Sequence, residues 1–431
     1  MDGRASEILT ASRFENWRRV LDLSRSFSAQ TPADIPVVAA ILDSCAAVEC
    51  RRSAKEILRG KLITPQFSEF AEAWIDFRAR NPHRAKDRFE ALTNDARVSW
   101  LGIYGLLCYA IESENVEILR STLEKSRSLQ NEEELVEAKI ADATLTLATL
   151  TYDVDRMPGL IASLQKKASK GETLFAATTD LIRKDELSTA KKAINEYVAQ
   201  FGYDHAAAQA DVDHGAVLLS PRDLLSEIDR RLKRNGNYWT LRFERASALQ
   251  ELGDASGAIA SIEAAKAIPV SLAYARLQRI AFMARESREY AEQIISDLDA
   301  LTGMYQDYPL FHVAAAEAFV SRNNSPRAIQ HLDTAVRQTP RYLRAILARA
   351  SLAMKVGDIS EAIRLYSRAA SIDQNNVFVR IYFTHALIVA KAFAEAKQQL
   401  TKVRMSRRYV PLEHIEQLDR LINEGEGQKG G

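Results

Sequence analysis

The sequence predicts an all-α protein built as a helical-repeat solenoid, and three observations carry this prediction. Residues that break helices are sparse, with 17 Gly and 11 Pro among 431 residues. Small residues recur with one fixed period of 34 positions near the C-terminus. Within one period, two small residues lie 12 positions apart on either side of a Gly-Asp turn signal. Stacked helix pairs explain all three features together.

The period is clearest between residues 309 and 410. Ala328, Ala362 and Ala396 are each separated by 34 positions. Three independent series with one period and fixed offsets predict a repeated supersecondary unit. The other two series are Ala316, Ala350 and Thr384, and Ala335, Ala369 and Val403.

The offsets within one unit have a packing explanation. Ala350 and Ala362 flank the turn signal Gly357-Asp358. Two helices joined at this turn would place the alanines face to face, where small side chains allow a close approach of the backbones. Ser325, which is followed by proline, predicts the matching helix start in the preceding unit, with the serine as the cap.

This pattern resembles the tetratricopeptide repeat family, whose 34-residue unit has small residues at its eighth and twentieth positions. Units fit at 239–272, 309–342, 343–376 and 377–410, with a weaker helix pair at 273–308. The resemblance implies a right-handed superhelix of helix pairs. The chain is a divergent member, because the aromatic residue of the fourth position is replaced by Arg242, His312, Ile346 and Arg380.

The rest of the chain is predicted to extend the same array. Residues 1–60 are interpreted as N-terminal helices that open it, and residues 61–238 as degenerate helix pairs. Ala73 and Ala85 repeat the spacing of 12 positions within this stretch. Apolar spacing over residues 411–423 predicts an amphipathic capping helix. Residues 424–431 are expected to be a disordered tail.

Composition and charge restrict the function classes. Lys and Arg total 58 against 57 Asp and Glu, so the net charge does not favour nucleic-acid binding. An RNA-binding helical repeat stays open, since it needs only a local basic stripe. The N-terminus is charged, the three cysteines form no redox or metal spacing, and the longest apolar stretch, 377–394, contains charged residues. A cytoplasmic protein without a membrane span is therefore expected.

No pattern predicts catalysis, a cofactor or a metal. His205, Asp211, Asp213 and His214 lie within ten residues, and we interpret them as a polar loop between helices rather than a metal site. The glycines of the tail satisfy a dinucleotide fingerprint, but no strand precedes them and no helix follows. The chain is therefore predicted not to be an enzyme, and a regulatory subunit of one remains an alternative.

The resemblance implies that partners lie in a groove lined by the first helix of each pair. No asparagine and few charges match the family's clamp for C-terminal carboxylates, and the groove becomes apolar toward its C-terminal end. Its predicted lining residues are Leu310, Val313, Glu317, Val320, Arg344, Leu347, Ser351, Met354, Lys355, Phe378, Ile381, His385, Ile388 and Val389.

The helix predicted at 377–390 is apolar on nearly every side, so its second face needs a cover. Phe383 and Leu387 are assigned to the core between helices. The repeat pattern assigns no core to the second face, which consists of Phe378, Ile381, Ile388 and Val389. Either the terminal helix covers this second face, or a partner's amphipathic helix or a second copy of the chain does.

The sequence thus favours a protein-binding scaffold or adaptor, as the resemblance implies. The abundance of Ala and the excess of Arg over Lys hint at a bacterial source with GC-rich DNA. In bacteria such proteins often serve cell-envelope, secretion or polysaccharide-assembly machinery, and an accessory subunit of that kind is the alternative.

Overall fold

The chain is helical throughout the part that its computed structural model describes. No strand occurs in this described part, which confirms the predicted all-α class. None of its helices is long and apolar enough to cross a bilayer. The described residues are 3–14, 16–24, 27, 34–47, 65–127, 129, 134–153, 155–234, 238–267, 273–406 and 408–427.

Eight described helices form the N-terminal third of the chain. A π-helical turn, Asp76–Arg80, extends the fourth helix as far as Asn81, whose side chain accepts a hydrogen bond from Arg84 N and starts the fifth. Ala73 and Ala85, which the sequence paired by their spacing, are both fully buried. The helices are α1 (Gly3–Arg13), α2 (Trp17–Ser24), α3 (Ile35–Ala47), α4 (Pro65–Ile75), α5 (Pro82–Leu92), α6 (Ser99–Ser113), α7 (Val116–Ser126) and α8 (Glu134–Leu150).

Seven further described helices continue the array. Asp204 caps the fourth of them by accepting a hydrogen bond from Ala207 N at 3.1 Å, so residues 205–214 are helical. The polar loop expected there is therefore wrong. The helices are α9 (Met157–Leu164), α10 (Lys170–Arg183), α11 (Leu187–Phe201), α12 (His205–Leu218), α13 (Pro221–Arg234), α14 (Trp239–Glu251) and α15 (Ala255–Ala267).

Ten helices complete the described chain. Residues 273–308 hold three helices rather than the predicted pair. The last helix runs to Gly427, so the disorder expected for the tail is wrong for 424–427; residues 428–431 lie outside the described residues. The helices are α16 (Ala273–Glu286), α17 (Arg288–Ser296), α18 (Leu298–Tyr305), α19 (Pro309–Ser321), α20 (Ser325–Gln338), α21 (Leu343–Lys355), α22 (Ile359–Ile372), α23 (Val377–Val389), α24 (Phe393–Arg404) and α25 (Leu412–Gly427).

The C-terminal repeats pack as their spacing predicts. Ala350 and Ala362 are fully buried in one apolar cluster, and Gly357 between them has φ +83°, a conformation that suits glycine. Asp358 caps α22 by accepting a hydrogen bond from Glu361 N. The cap of α20 is Asn324, one residue before the predicted Ser325.

The two halves of the chain also pack against each other. Thr339 Oγ1 donates a 2.7 Å hydrogen bond to the carbonyl of Glu114, and Asn375 Nδ2 donates one of the same length to the carbonyl of Arg183. These partners are separated by 225 and 192 residues along the chain. The largest apolar cluster likewise joins residues of α1–α8 to residues of α16 and α19. Successive turns of the superhelix therefore touch, and we call their contact the seam.

A hydrogen-bonded carboxylate anchors the seam. Asp307 Oδ2 accepts hydrogen bonds from Tyr109 OH and Lys86 Nζ at 2.9 and 3.0 Å, and lies 2.9 Å from His83 Nδ1. Asn115 Nδ2 also donates to the carbonyl oxygen of Asp307. One residue of the second half thus holds four residues of the first, which fixes the register between the two turns.

Candidate partner-binding site

The first part of the predicted groove is closed by the chain itself. Leu310 is only 2% exposed and lies in the apolar cluster that joins α19 to the N-terminal helices, and Val313 is fully buried. Neither side chain can contact a partner in this conformation, so the prediction is wrong for both. The sequence pattern of one repeat could not show that another turn of the superhelix would cover it.

The middle of the groove is partly open. Glu317, Val320, Arg344, Leu347 and Met354 are half-buried. Ser351 and Lys355, on the last turns of α21, are exposed.

In the last part of the groove, some side chains are covered by α25 and others are exposed to solvent. Ile381 is 9% exposed and shares a buried cluster with Leu418 and Ile422 of α25, and the half-buried Ile388 packs against that cluster. The terminal helix therefore covers these two residues. This is the internal alternative left open by the sequence, and the prediction that Ile381 faces a partner is wrong.

Four other side chains of α23 stay outside this cluster. Phe378, Tyr382 and Val389 are 36%, 51% and 47% exposed, and His385 is exposed as well. Their spacing of four, three and four residues places them on one helix face. We call Phe378, Tyr382, His385 and Val389 the α23 stripe.

Tyr382 was absent from the predicted groove. Its ring stacks on Tyr366 of the preceding helix pair, with centroids 6.3 Å apart and planes inclined by 25°. The signal was present in the sequence, because Tyr382 follows Phe378 by four residues and precedes His385 by three. The prediction instead followed the adjacent row through Ile381 and Ile388, which α25 covers.

The inner face of α14, α19 and α21 is acidic around one arginine. Burial raises the pKa of Glu244 to about 7, and the nearby charges of Asp213 and Glu251 act in the same direction. The pKa of Glu317 is also raised by burial, although the charge of Arg344 opposes this shift. Burial opposes the protonated form of Arg344 as well, but the surrounding acidic groups raise its pKa overall. Glu244, Glu317 and Arg344 are therefore buried charged groups that interact with one another across this face.

A cavity of about 400 Å³ opens at the seam. Helices α8 and α10 form one wall, and the segment 339–344 at the start of α21 forms another. Burial raises the pKa of Glu114 and of Glu172 to about 7, with Arg344 opposing the shift of Glu114 and the Thr146 hydroxyl opposing that of Glu172. Charged and aromatic lining residues are Glu114, Glu172, Arg183, Arg341, Arg344, Tyr152, Phe175, Tyr274 and Tyr342.

The histidine and aspartate cluster of α12 is occupied by other contacts. Asp211 Oδ1 accepts a 2.6 Å hydrogen bond from Lys191 Nζ, and Asp211 also pairs with Arg231. His214 Nε2 lies 2.9 Å from the carbonyl oxygen of Leu187. In the described residues no group of three His, Cys, Asp or Glu side chains is arranged to hold a metal ion.

Comparison with known proteins gives likeness to solved structures alone. No model of a known protein family matches the chain, and no curated protein matches it in sequence. A chain of the APC/C hetero-tetramer Cut9–Hcn1 aligns over 98% of this chain and 83% of its own length, with 11% identity and a TM-score of 0.49.

Two further structures align less well. A tetratricopeptide repeat protein from Parabacteroides merdae covers 58% of this chain and 98% of its own length, with 16% identity and a TM-score of 0.39. Yeast Tom70 covers 99% and 95%, with 12% identity and a TM-score of 0.38. The helices themselves define the architecture, because each of the units 239–272, 309–342, 343–376 and 377–410 holds one helix pair with buried small residues at its eighth and twentieth positions. They form a helical solenoid of tetratricopeptide-like units.

Proposed function

We propose that the chain is a protein-binding scaffold, not an enzyme, and that the α23 stripe is its contact surface. One observation carries this proposal. A helix whose other faces are buried by α22, α24 and α25 keeps an aromatic and apolar row in contact with water. A contiguous exposed apolar patch of this kind marks an interaction site more often than scattered single residues do.

The proposed occupant is an amphipathic helix of another protein. The stripe is three helical turns long and presents Phe378, Tyr382 and Val389 at helical spacing, which suits an apolar helix face. Tyr382 offers the rigid aromatic area that is common in interface hot spots.

The test compares two variants of equal charge. Tyr382→Asp combined with Val389→Asp removes the apolar row without touching the cluster beneath α25. Leu412→Asp together with Met405→Asp is the matched control, because both side chains are exposed outside the stripe, at 66% and 79%. We expect the stripe variant to lose at least tenfold in affinity for a partner identified with the wild type, with unchanged helix content.

Equal affinity of the stripe variant, the control and the wild type would exclude the stripe as the contact surface. Self-association is a separate outcome: a concentration-dependent dimer that only the stripe variant abolishes would identify a second copy as the occupant. Light scattering measures this directly.

The acidic inner face bears on the RNA-binding alternative. Glu244 and Glu317 lie where a nucleic-acid groove would need cations, so we do not include RNA in the proposal. A cytoplasmic location is part of the proposal, and its support is the composition and the cysteine pattern. An accessory role in envelope, secretion or polysaccharide-assembly machinery depends on the identity of the partner.

A further inference from the structure

The cavity at the seam has features that the scaffold function does not use. Its volume of about 400 Å³ lies within the range of small-molecule sites, roughly 300–1,000 Å³. Ile111, Leu150, Phe175 and Leu343 supply an apolar lining. The cavity involves no residue of the α23 stripe, so it is a separate site.

Two opposite charges face this cavity without meeting. Glu114 and Arg344 both line it and interact electrostatically. Among the described residues, no salt bridge joins Arg344 to Glu114 or to Glu317. Arg344 donates one 2.8 Å hydrogen bond, to Gln278 Oε1, although a guanidinium has five N–H donors. A separated pair of this kind leaves room for a molecule that carries one positive and one negative charge.

A buried hydroxyl in the same wall also lacks a partner. Thr149 is 4% exposed, lines the cavity, and its Oγ1 has no hydrogen-bond partner within the described residues. Buried polar groups are normally hydrogen-bonded, and an exception calls for a ligand or a water to complete it. The Oγ1 atom itself is shielded from solvent, so a rotation about χ1 would bring the hydroxyl to the cavity, where it can donate to an oxygen of a bound molecule.

The acidic member of the pair is held in place by the fold. Glu114 has φ +54°, a conformation uncommon for residues other than glycine, and it ends α6. Its carbonyl oxygen accepts the hydrogen bond from Thr339 Oγ1 across the seam. Since Thr339 and Arg344 belong to one short segment, the same contact sets Glu114 opposite Arg344. A ligand that binds between Glu114 and Arg344 would therefore pay little conformational entropy, because the protein groups are already ordered.

We infer that the seam cavity binds a free α-amino acid with a large apolar side chain. Its ammonium group pairs with Glu114, and its carboxylate accepts hydrogen bonds from Arg344 and from the hydroxyl of Thr149. Its side chain packs against Leu150 and Phe175. Because the ligand contacts both halves of the chain, it stabilises the seam and with it the whole fold.

Calorimetry with L-phenylalanine and L-leucine tests this inference on the whole chain. N-acetyl-L-phenylalanine lacks the ammonium charge, and L-phenylalaninamide lacks the carboxylate. We expect at least one free amino acid to bind and raise the melting temperature. Each capped analogue of phenylalanine should bind at least tenfold more weakly than phenylalanine itself.

Variants assign the binding to the cavity. Glu114→Gln and Arg344→Gln should each weaken amino-acid binding at least tenfold, and Thr149→Val should weaken it less. The stripe variant, Tyr382→Asp with Val389→Asp, should bind the amino acid like the wild type, which separates this inference from the proposed function. Absence of binding by both amino acids, or equal binding of the capped analogues, would overturn the inference. Unchanged affinity in the folded Glu114→Gln variant would overturn it as well.

Discussion

The regular repeats at 309–410 and the irregular helices at 65–126 bring helices together with different small residues. In the repeats, Ala350 meets Ala362 within a buried cluster, and the same arrangement recurs in each successive unit. In the irregular region, glycine has this role. A Cβ added to Gly102 would lie 2.6 Å from the carbonyl oxygen of Phe89 and 2.7 Å from Thr93 N.

This difference has consequences for how damage spreads. A repeat contacts mainly its neighbours, so a change within it should remain local. The irregular region shares its apolar cluster with α16 and α19 across the seam. A change there should weaken both halves of the chain. Three substitutions test this contrast and a fourth tests the charge of the inner face; all four are taken in order of expected effect.

Gly102→Ala should destabilise the chain most, by about 3 kcal/mol, because the added Cβ meets backbone atoms that cannot rotate away. Alanine has the higher helix propensity by roughly 1 kcal/mol, so the steric effect must exceed that gain. Urea unfolding measures the difference. Gly159→Ala in α9 is the matched control, since nothing lies within 4 Å of its added Cβ, and it should be neutral or stabilising. Equal effects of the two substitutions would show that α5 and α6 are not in close contact.

Asp307→Asn tests whether the seam is one cooperative contact. Burial alone would raise the pKa of Asp307, but the hydrogen bonds and charge of Lys86 and the bonds of His83 and Tyr109 lower it overall. The ionised form is therefore stabilised in the fold, and its loss should cost about 2 kcal/mol above the unfolded pKa. Hydrogen exchange should accelerate around residues 83–115 and 305–312 together. Acceleration on one side alone would argue against a cooperative seam.

Ala362→Leu should have a smaller and more confined effect, about 1.5 kcal/mol, because the residue is fully buried where α21 and α22 pack. Hydrogen exchange should increase within 343–390 and leave the seam protected. Ser360→Leu, at an exposed position of the same helix, is the control and should change stability little. Loss of protection in α5 and α6 after Ala362→Leu would contradict the local behaviour of the repeats.

The sequence was sufficient for the repeats because their determinants are local. Small residues, a Gly-Asp turn and apolar spacing lie within a single repeat unit, and the helices of the four best units follow from them. Gly102 shows why the structure of the upstream region was harder to predict from the sequence. It lies against α5, where an added Cβ would meet backbone atoms, but it lies outside the period, and a glycine by itself is compatible with many local structures.

The exposed residues of the groove were harder still to predict, because their exposure depends on parts of the chain that are distant in sequence. Leu310 has the inner position that its repeat predicts, yet helices from the preceding turn bury it. Ile381 is covered by α25, whose amphipathic pattern was recognised but whose docking face was not determined by that pattern. The seam itself consists of contacts between residues far apart along the chain, such as Thr339 with Glu114. No local pattern carries that information.

Glu244→Gln should have the smallest effect and the opposite sign, because it removes charge from the inner face without changing packing. Burial and the charges of Asp213 and Glu251 raise the pKa of Glu244 to about 7, with Arg344 opposing them. Between pH 4.5 and 7 the folded chain therefore keeps a proton that the unfolded chain has released, so stability falls as pH rises through this window. The variant avoids this loss. It should match the wild type near pH 4.5 and exceed it by about 1 kcal/mol above pH 7, once solvent access to the half-buried group is allowed for.

Glu361→Gln is the control, because the hydrogen bond from Arg364 lowers the pKa of Glu361 and its replacement should reduce stability at pH 8. Urea unfolding at pH 5 and pH 8 measures both variants. A stability gain of Glu244→Gln that is equal at the two pH values would mean that packing, not charge, makes this glutamate unfavourable.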